Sequence, residues 1–239
     1  MDVCDIAARQ ILDLVPYRES DEHGGWRVLR FDDDAVATIM CMEPNPETIV
    51  REGEDVLGTY TPMASPGIIT LHWQRIGSLF WHTILEVQRA GLPVEQRDLN
   101  LLAPLTVNKT YHHERFHFFC DVARQLFGTQ VENLREEALA VAWSHDVIMA
   151  NRLQWNSSAG RLGQGLFRAF MQRIFHYTAL GYCGWHAFES RYNLEQGIAD
   201  YLVLPQTLHD LTRCGIDAAP LVLGMQACLK GGVIEQLTP

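Results

Sequence analysis

Basic residues are scarce in this sequence. Nineteen Lys and Arg stand against 29 Asp and Glu in 239 residues, a formal charge of −10. A nucleic-acid groove has to neutralise phosphates, and an anionic membrane surface makes the same demand, so neither is expected as a partner. Long apolar runs are missing too. The best stretches, 138–143 and 221–229, are too short or too interrupted to span a bilayer. The opening Met1-Asp2-Val3-Cys4-Asp5 is acidic where a secretory signal has a basic region before an apolar one, so the expected location is cytoplasmic. Six cysteines are spread widely with no C-x-x-C pair, which predicts reduced thiols, mostly buried, rather than a disulfide framework. No Pro-, Gly- or Ser-rich linker and no internal repeat divides the chain, and 47% hydrophobic residues exclude intrinsic disorder. A single domain over 1–239 is expected, long enough to bury a sizeable core.

What is present falls into two parts. Residues 3–15 have the spacing of a short helix. From about 20 to 72 the chain is β-rich: 26–31 and 35–41 are rich in β-branched and aromatic residues and flank Asp32-Asp33-Asp34, a turn signal, while 68–71 reads as a later strand. From about 73 to 239 the spacing is helical. Trp73, Ile76, Phe80, Ile84 and Val87 lie on one stripe that ends at Gly91-Leu92-Pro93. Further helices are predicted from near Pro104 or Thr110 to Phe127, from about Glu132 to Leu153, and as three or four pieces between 161 and 229. The predicted fold is α+β, a small antiparallel N-terminal sheet followed by a mainly helical body.

Ten histidines are many for this length, and three crowd into 112–117. Residues 113–117 spell H-E-x-x-H. Four residues apart on a helix, His113 and His117 share a face and can reach one ion. Zinc takes neutral imidazole and, in catalytic sites, three protein ligands with one position left open. Glu114 is rotated away from the first ligand, where a carboxylate can hold water and act as general base. His113, Phe116, His117, Cys120, Ala123 and Phe127 form one inward stripe, and buried histidines need partners. A third ligand is expected downstream, where Glu136 and Glu137 are the candidates.

Here the sequence resembles the gluzincin group of zinc metallopeptidases, in which H-E-x-x-H is completed by a glutamate on a following helix. The resemblance covers about 113–141. The longer of the two spacings found in that group selects Glu137 and the shorter selects Glu136. A small residue usually follows the ligand by three positions; Ala140 does so for Glu137, whereas Leu139 does for Glu136, which favours Glu137. The resemblance implies a zincin-like pair of metal-binding helices, Zn2+ as cofactor, Glu114 as the catalytic base, and a peptide or protein substrate. The pattern departs at Glu136, where Asn is common, and at Val141, where an orienting Asp is common; Asp121 or Asp146 then stand as replacements. It also implies an edge strand for substrate, for which 67–71 is placed in sequence. His145 and Cys120 remain open as ligand, partner or core residues. The oxyanion donor remains open among Tyr177, Tyr182, His176, His186 and Tyr192.

Two other classes compete with a hydrolase. One is a non-catalytic regulatory or binding protein on a zincin-like metal-binding scaffold, since ligands do not fix turnover. The other is a di-iron bundle, because 114–117 is also an E-x-x-H; that class needs a second E-x-x-H, and the sequence has none.

Overall fold

The computed structural model describes residues 2–21, 27–42, 57–62, 67–127, 132–151, 163–202, 213 and 233–239. Helix α1 (Val3–Leu12) starts at Asp2, whose carboxylate accepts the Cys4 N–H at 3.2 Å and satisfies one of the free donors of the first turn. A short antiparallel hairpin follows, β1 (Arg18–Asp21) on β2 (Arg27–Arg30), with Arg18 opposite Arg30.

The predicted strand over 35–41 is instead helix α2 (Asp33–Cys41). The acidic triplet read as a turn is its start: Asp32 accepts the Ala35 N–H at 2.9 Å, and Asp33 and Asp34 lie where the helix dipole favours negative charge. Ala35 and Ile39, four apart, are its buried face. β-Branched composition lost to a cap and a four-residue spacing.

Strand β3 (Gly58–Thr61) pairs antiparallel with β4 (Gly67–His72), and β4 pairs in parallel with β5 (Val233–Thr238). The sheet is therefore mixed, not antiparallel, and it takes one strand from the far end of the sequence. β4 is its inner strand, so 67–71 offers no free edge; the expectation of a substrate-binding edge there is corrected. Alternate residues of β4, Ile69 and Leu71, are buried, as period-two patterning requires.

The rest is helical. α3 (Trp73–Arg89) turns Ile76, Phe80, Ile84 and Val87 into the core, and the Trp81 indole donates to the Ile11 carbonyl at 2.8 Å, tying α3 to α1. α4 (Gln96–Phe127) runs for 32 residues. It begins earlier than predicted because Asp98 reaches back to accept the Glu95 N–H at 2.8 Å, and Pro104 is accommodated inside it. Residues on several of its sides are buried, including Leu99, Leu102, Leu105 and Val107, which marks α4 as the central helix. α5 (Asn133–Ala150) packs on α4. α6 (Gln164–Ile174), a 3-10 helix (Tyr182–Phe188) and α7 (Arg191–Tyr201) complete the described body. Predicted helices beyond 202 lie outside the described residues.

No described helix is long and apolar enough to cross a membrane. The four described cysteines are free: Cys4 and Cys120 are buried, whereas Cys41 and Cys183 are exposed.

Candidate metal centre

The centre forms where α4 meets α5. His113 and His117, one turn apart, present their Nε2 atoms 3.3 Å from one another. Glu137, in the second turn of α5, places Oε2 at 3.0 Å from His113 Nε2 and 3.4 Å from His117 Nε2. Two ligands at the roughly 2.0–2.1 Å distance usual for zinc, held at a tetrahedral angle, are separated by about 3.3 Å. The three donor atoms thus have the mutual spacing of three corners of such a tetrahedron. Among the described residues this is the one group of three His, Cys, Asp or Glu side chains close enough to share an ion.

Electrostatics follow from that crowding. Burial works against a charged His117, yet hydrogen bonds to Glu136 and Glu137 overcome it and raise its pKa to about 10. Burial likewise opposes a charged Glu137, and the same two histidines reverse that, holding its carboxyl well below the usual range. His117 and Glu137 thus form a buried ion pair, with His113 within hydrogen-bond distance of the same carboxylate.

Glu136, the other candidate ligand, points elsewhere. Its Oε1 accepts from His117 Nδ1 at 2.8 Å, while Oε2 accepts from Arg124 Nη1 and from the Tyr201 hydroxyl. Burial of Glu136 is outweighed by these partners, which hold its carboxyl below the ordinary value. An ionised carboxylate can only accept, so His117 Nδ1 carries a proton toward Glu136. The orienting carboxylate sought at Asp121 or Asp146 is thus the residue beside Glu137. Asp121 instead accepts from the Tyr60 hydroxyl at 2.7 Å and from Gln125 at 3.3 Å, fastening β3 to α4. Asp146 acts electrostatically on His145, not on the centre.

Glu114 leaves α4 on the side facing β3. The backbone N–H of Tyr60 donates to its carboxylate. Burial pushes its pKa up, against the opposing pull of His113 and His117. The close approach of β3 depends on Gly58. A Cβ built there would lie 2.9 Å from Glu114 Cγ and 3.0 Å from Thr110 Cγ2. Gly58→Ala is therefore expected to cost about 1–3 kcal/mol through overpacking and to displace Glu114, with metal content unchanged. Thermal unfolding and metal analysis of the variant check this; an undisturbed melting temperature would contradict it.

Aromatic packing fixes the other histidine. The Tyr182 ring stacks on His113 at 5.6 Å and 9°, and Tyr177 stacks on Tyr182 at 5.4 Å. Lys109, one turn before His113 and buried, sets its ammonium 4.9 Å from the Tyr177 ring. The spacing 109, 113, 117 was a visible signal for Lys109. Tyr182 was among the candidate oxyanion donors, and Arg124 lies two turns after His117 on the same face; Tyr201 had no comparable signal.

Other candidates lie apart from the cluster. His145 sits edge-on to Phe175 at 5.0 Å and against Trp185 at 4.9 Å, and burial lowers its pKa. Cys120 is buried in the core, where burial pushes its thiol up. His176 and His186 line a separate cleft, and Tyr192 is 74% exposed.

Compared with family models, curated proteins and solved structures, the chain matches none. What the centre can do has to follow from its own donors and their surroundings.

Proposed function

We propose that the chain is a zinc-dependent hydrolase acting on peptide bonds, with His113, His117 and Glu137 as metal ligands and Glu114 as general base. The observation that supports it most is the spacing of the three donor atoms, 3.0, 3.3 and 3.4 Å, beside a buried carboxylate that belongs to none of those contacts. A structural zinc site is closed by four protein ligands; a three-ligand face suits catalysis.

A bound zinc ion supplies Lewis acidity toward water and the scissile carbonyl. Glu114 does the proton work, taking a proton from the attacking water and delivering it to the departing amine. Glu136, anchored by Arg124 and Tyr201, holds the His117 ring and its tautomer, and Tyr182 holds the His113 ring plane. With β4 enclosed, the substrate strand is reassigned to β3. It lies at the sheet edge among the described strands and touches Glu114 through Tyr60 and Gly58.

Protein purified without chelator is expected to contain one zinc per chain and to cut members of a peptide library read by mass spectrometry. Chelation should stop the cutting and zinc should restore it. Zinc without any cut peptide would favour the non-catalytic reading, and no metal above background would end both.

A further inference from the structure

The 3-10 helix joins the metal centre to a second feature. At one position it carries Tyr182, stacked on His113; three residues on, Trp185 lines a cleft of about 380 Å³ between α5, α6 and this helix. That volume suits a small ligand or a large side chain. The floor is aromatic: Phe167, Phe175 and Trp185 are buried, the last two against His145.

The rim has a different chemistry. Gln164, Arg168 and Gln172 occupy successive turns of α6 along the cleft. Each step rises about 6 Å, close to the roughly 6.6 Å that two residues of an extended chain cover. Arg168 is exposed, and among the described residues no carboxylate pairs with it, whereas Arg173 on the same helix is paired with Glu86. Among the described lining residues the one acidic side chain, Glu189, already faces His186 at 3.7 Å. In a chain of net charge −10, this cleft offers a guanidinium with no carboxylate partner among the described residues, above an aromatic floor.

We propose that the cleft binds the C-terminal end of a peptide, the terminal carboxylate on Arg168 and a large apolar or aromatic terminal side chain against Trp185 and Phe175. The planar guanidinium fork matches a carboxylate, and the two glutamines can each both donate to and accept from a main chain. The proposal rests on the peptidase reading for its biological sense. His145 lies eight residues beyond Glu137 on α5, about 12 Å, a span that an extended peptide covers in about four residues. The bond cut would therefore lie a few residues from the substrate's C-terminus.

The test uses the full chain with Glu114→Gln, so that bound peptide is not consumed. Fluorescence anisotropy would follow a fluorescein-labelled alanine hexapeptide ending in phenylalanine, as free acid and as amide. The acid is expected to bind about tenfold more tightly. Arg168→Gln, on an exposed helix face, should erase that preference without changing zinc content, and a terminal glycine should weaken binding of both forms. Equal affinity of acid and amide, a preference that survives Arg168→Gln, or no binding at all would each overturn the proposal. Acid-selective, Arg168-dependent binding by a wild-type protein that cuts nothing would keep the cleft and remove the hydrolase. Peptide cleavage indifferent to the terminal carboxylate would do the reverse.

Discussion

Glu114→Gln is expected to lower peptide hydrolysis by about 10²–10⁴-fold, the range usual for a lost acid–base group, while zinc content and melting temperature stay near wild type. The amide keeps the size and polarity of the carboxylate, and its oxygen can still accept the Tyr60 N–H that holds the side chain against β3. What it loses is the capacity to take a proton. No ligand is removed, because the three donor atoms that face one another belong to His113, His117 and Glu137. Steady-state hydrolysis of a peptide found by library screening, with metal analysis of the same preparation, measures both halves. Full activity in Glu114→Gln would sink the mechanism even with zinc in place. A variant that loses its metal would mean that Glu114 is itself a ligand.

His113→Ala, His117→Ala and Glu137→Gln are expected to drop zinc from about one per chain to near background after dialysis, since two remaining ligands hold the ion poorly. Glu136→Gln separates the two glutamates. It leaves all three donor atoms in place and removes the charged acceptor that His117 Nδ1, Arg124 and Tyr201 share, so zinc should remain, bound about 10–100-fold more weakly. Titration with a competing chelator resolves that difference. Should Glu136→Gln strip the metal while Glu137→Gln retains it, the roles assigned to these neighbours are reversed.

The difference between those glutamates shows what a one-dimensional pattern can carry. The H-E-x-x-H spacing needs only helix geometry, because four residues on one helix fix the relation of His113 to His117 whatever surrounds them. The relation of α5 to α4 has no such local rule. Neighbours on a helix point about 100° apart, so a rotation of α5 by about that angle would exchange Glu136 and Glu137. The rotation is decided by contacts distant in sequence. Arg124 and Tyr201 hold Glu136, and Trp143 packs on Phe116 and Phe119. The small residue at Ala140 pointed to Glu137, but nothing near Glu136 signalled that it would orient His117.

The same division runs through the fold. α3 was legible from its apolar stripe and its Gly-Pro stop, and most of α4 and α5 from period and from the break at Gly128. α2 was not, because its capping aspartates also make good turns and its Val, Thr and Ile also suit strands. β5 left no trace, since a parallel partner more than 160 residues from β4 has no local signature.

By itself, then, the sequence determined an acidic, mostly helical chain with a small strand component, a paired-histidine helix and a base candidate beside the first histidine. These follow from composition and from periodicities that the backbone imposes over one or two turns. Tertiary structure alone decided that Glu136 turns to His117 Nδ1, which strand borders Glu114, and that Arg124, Tyr182 and Tyr201 pack around these side chains. Those outcomes depend on how whole elements rotate and cross, and close packing between elements sets that by shape and charge summed over many distant residues.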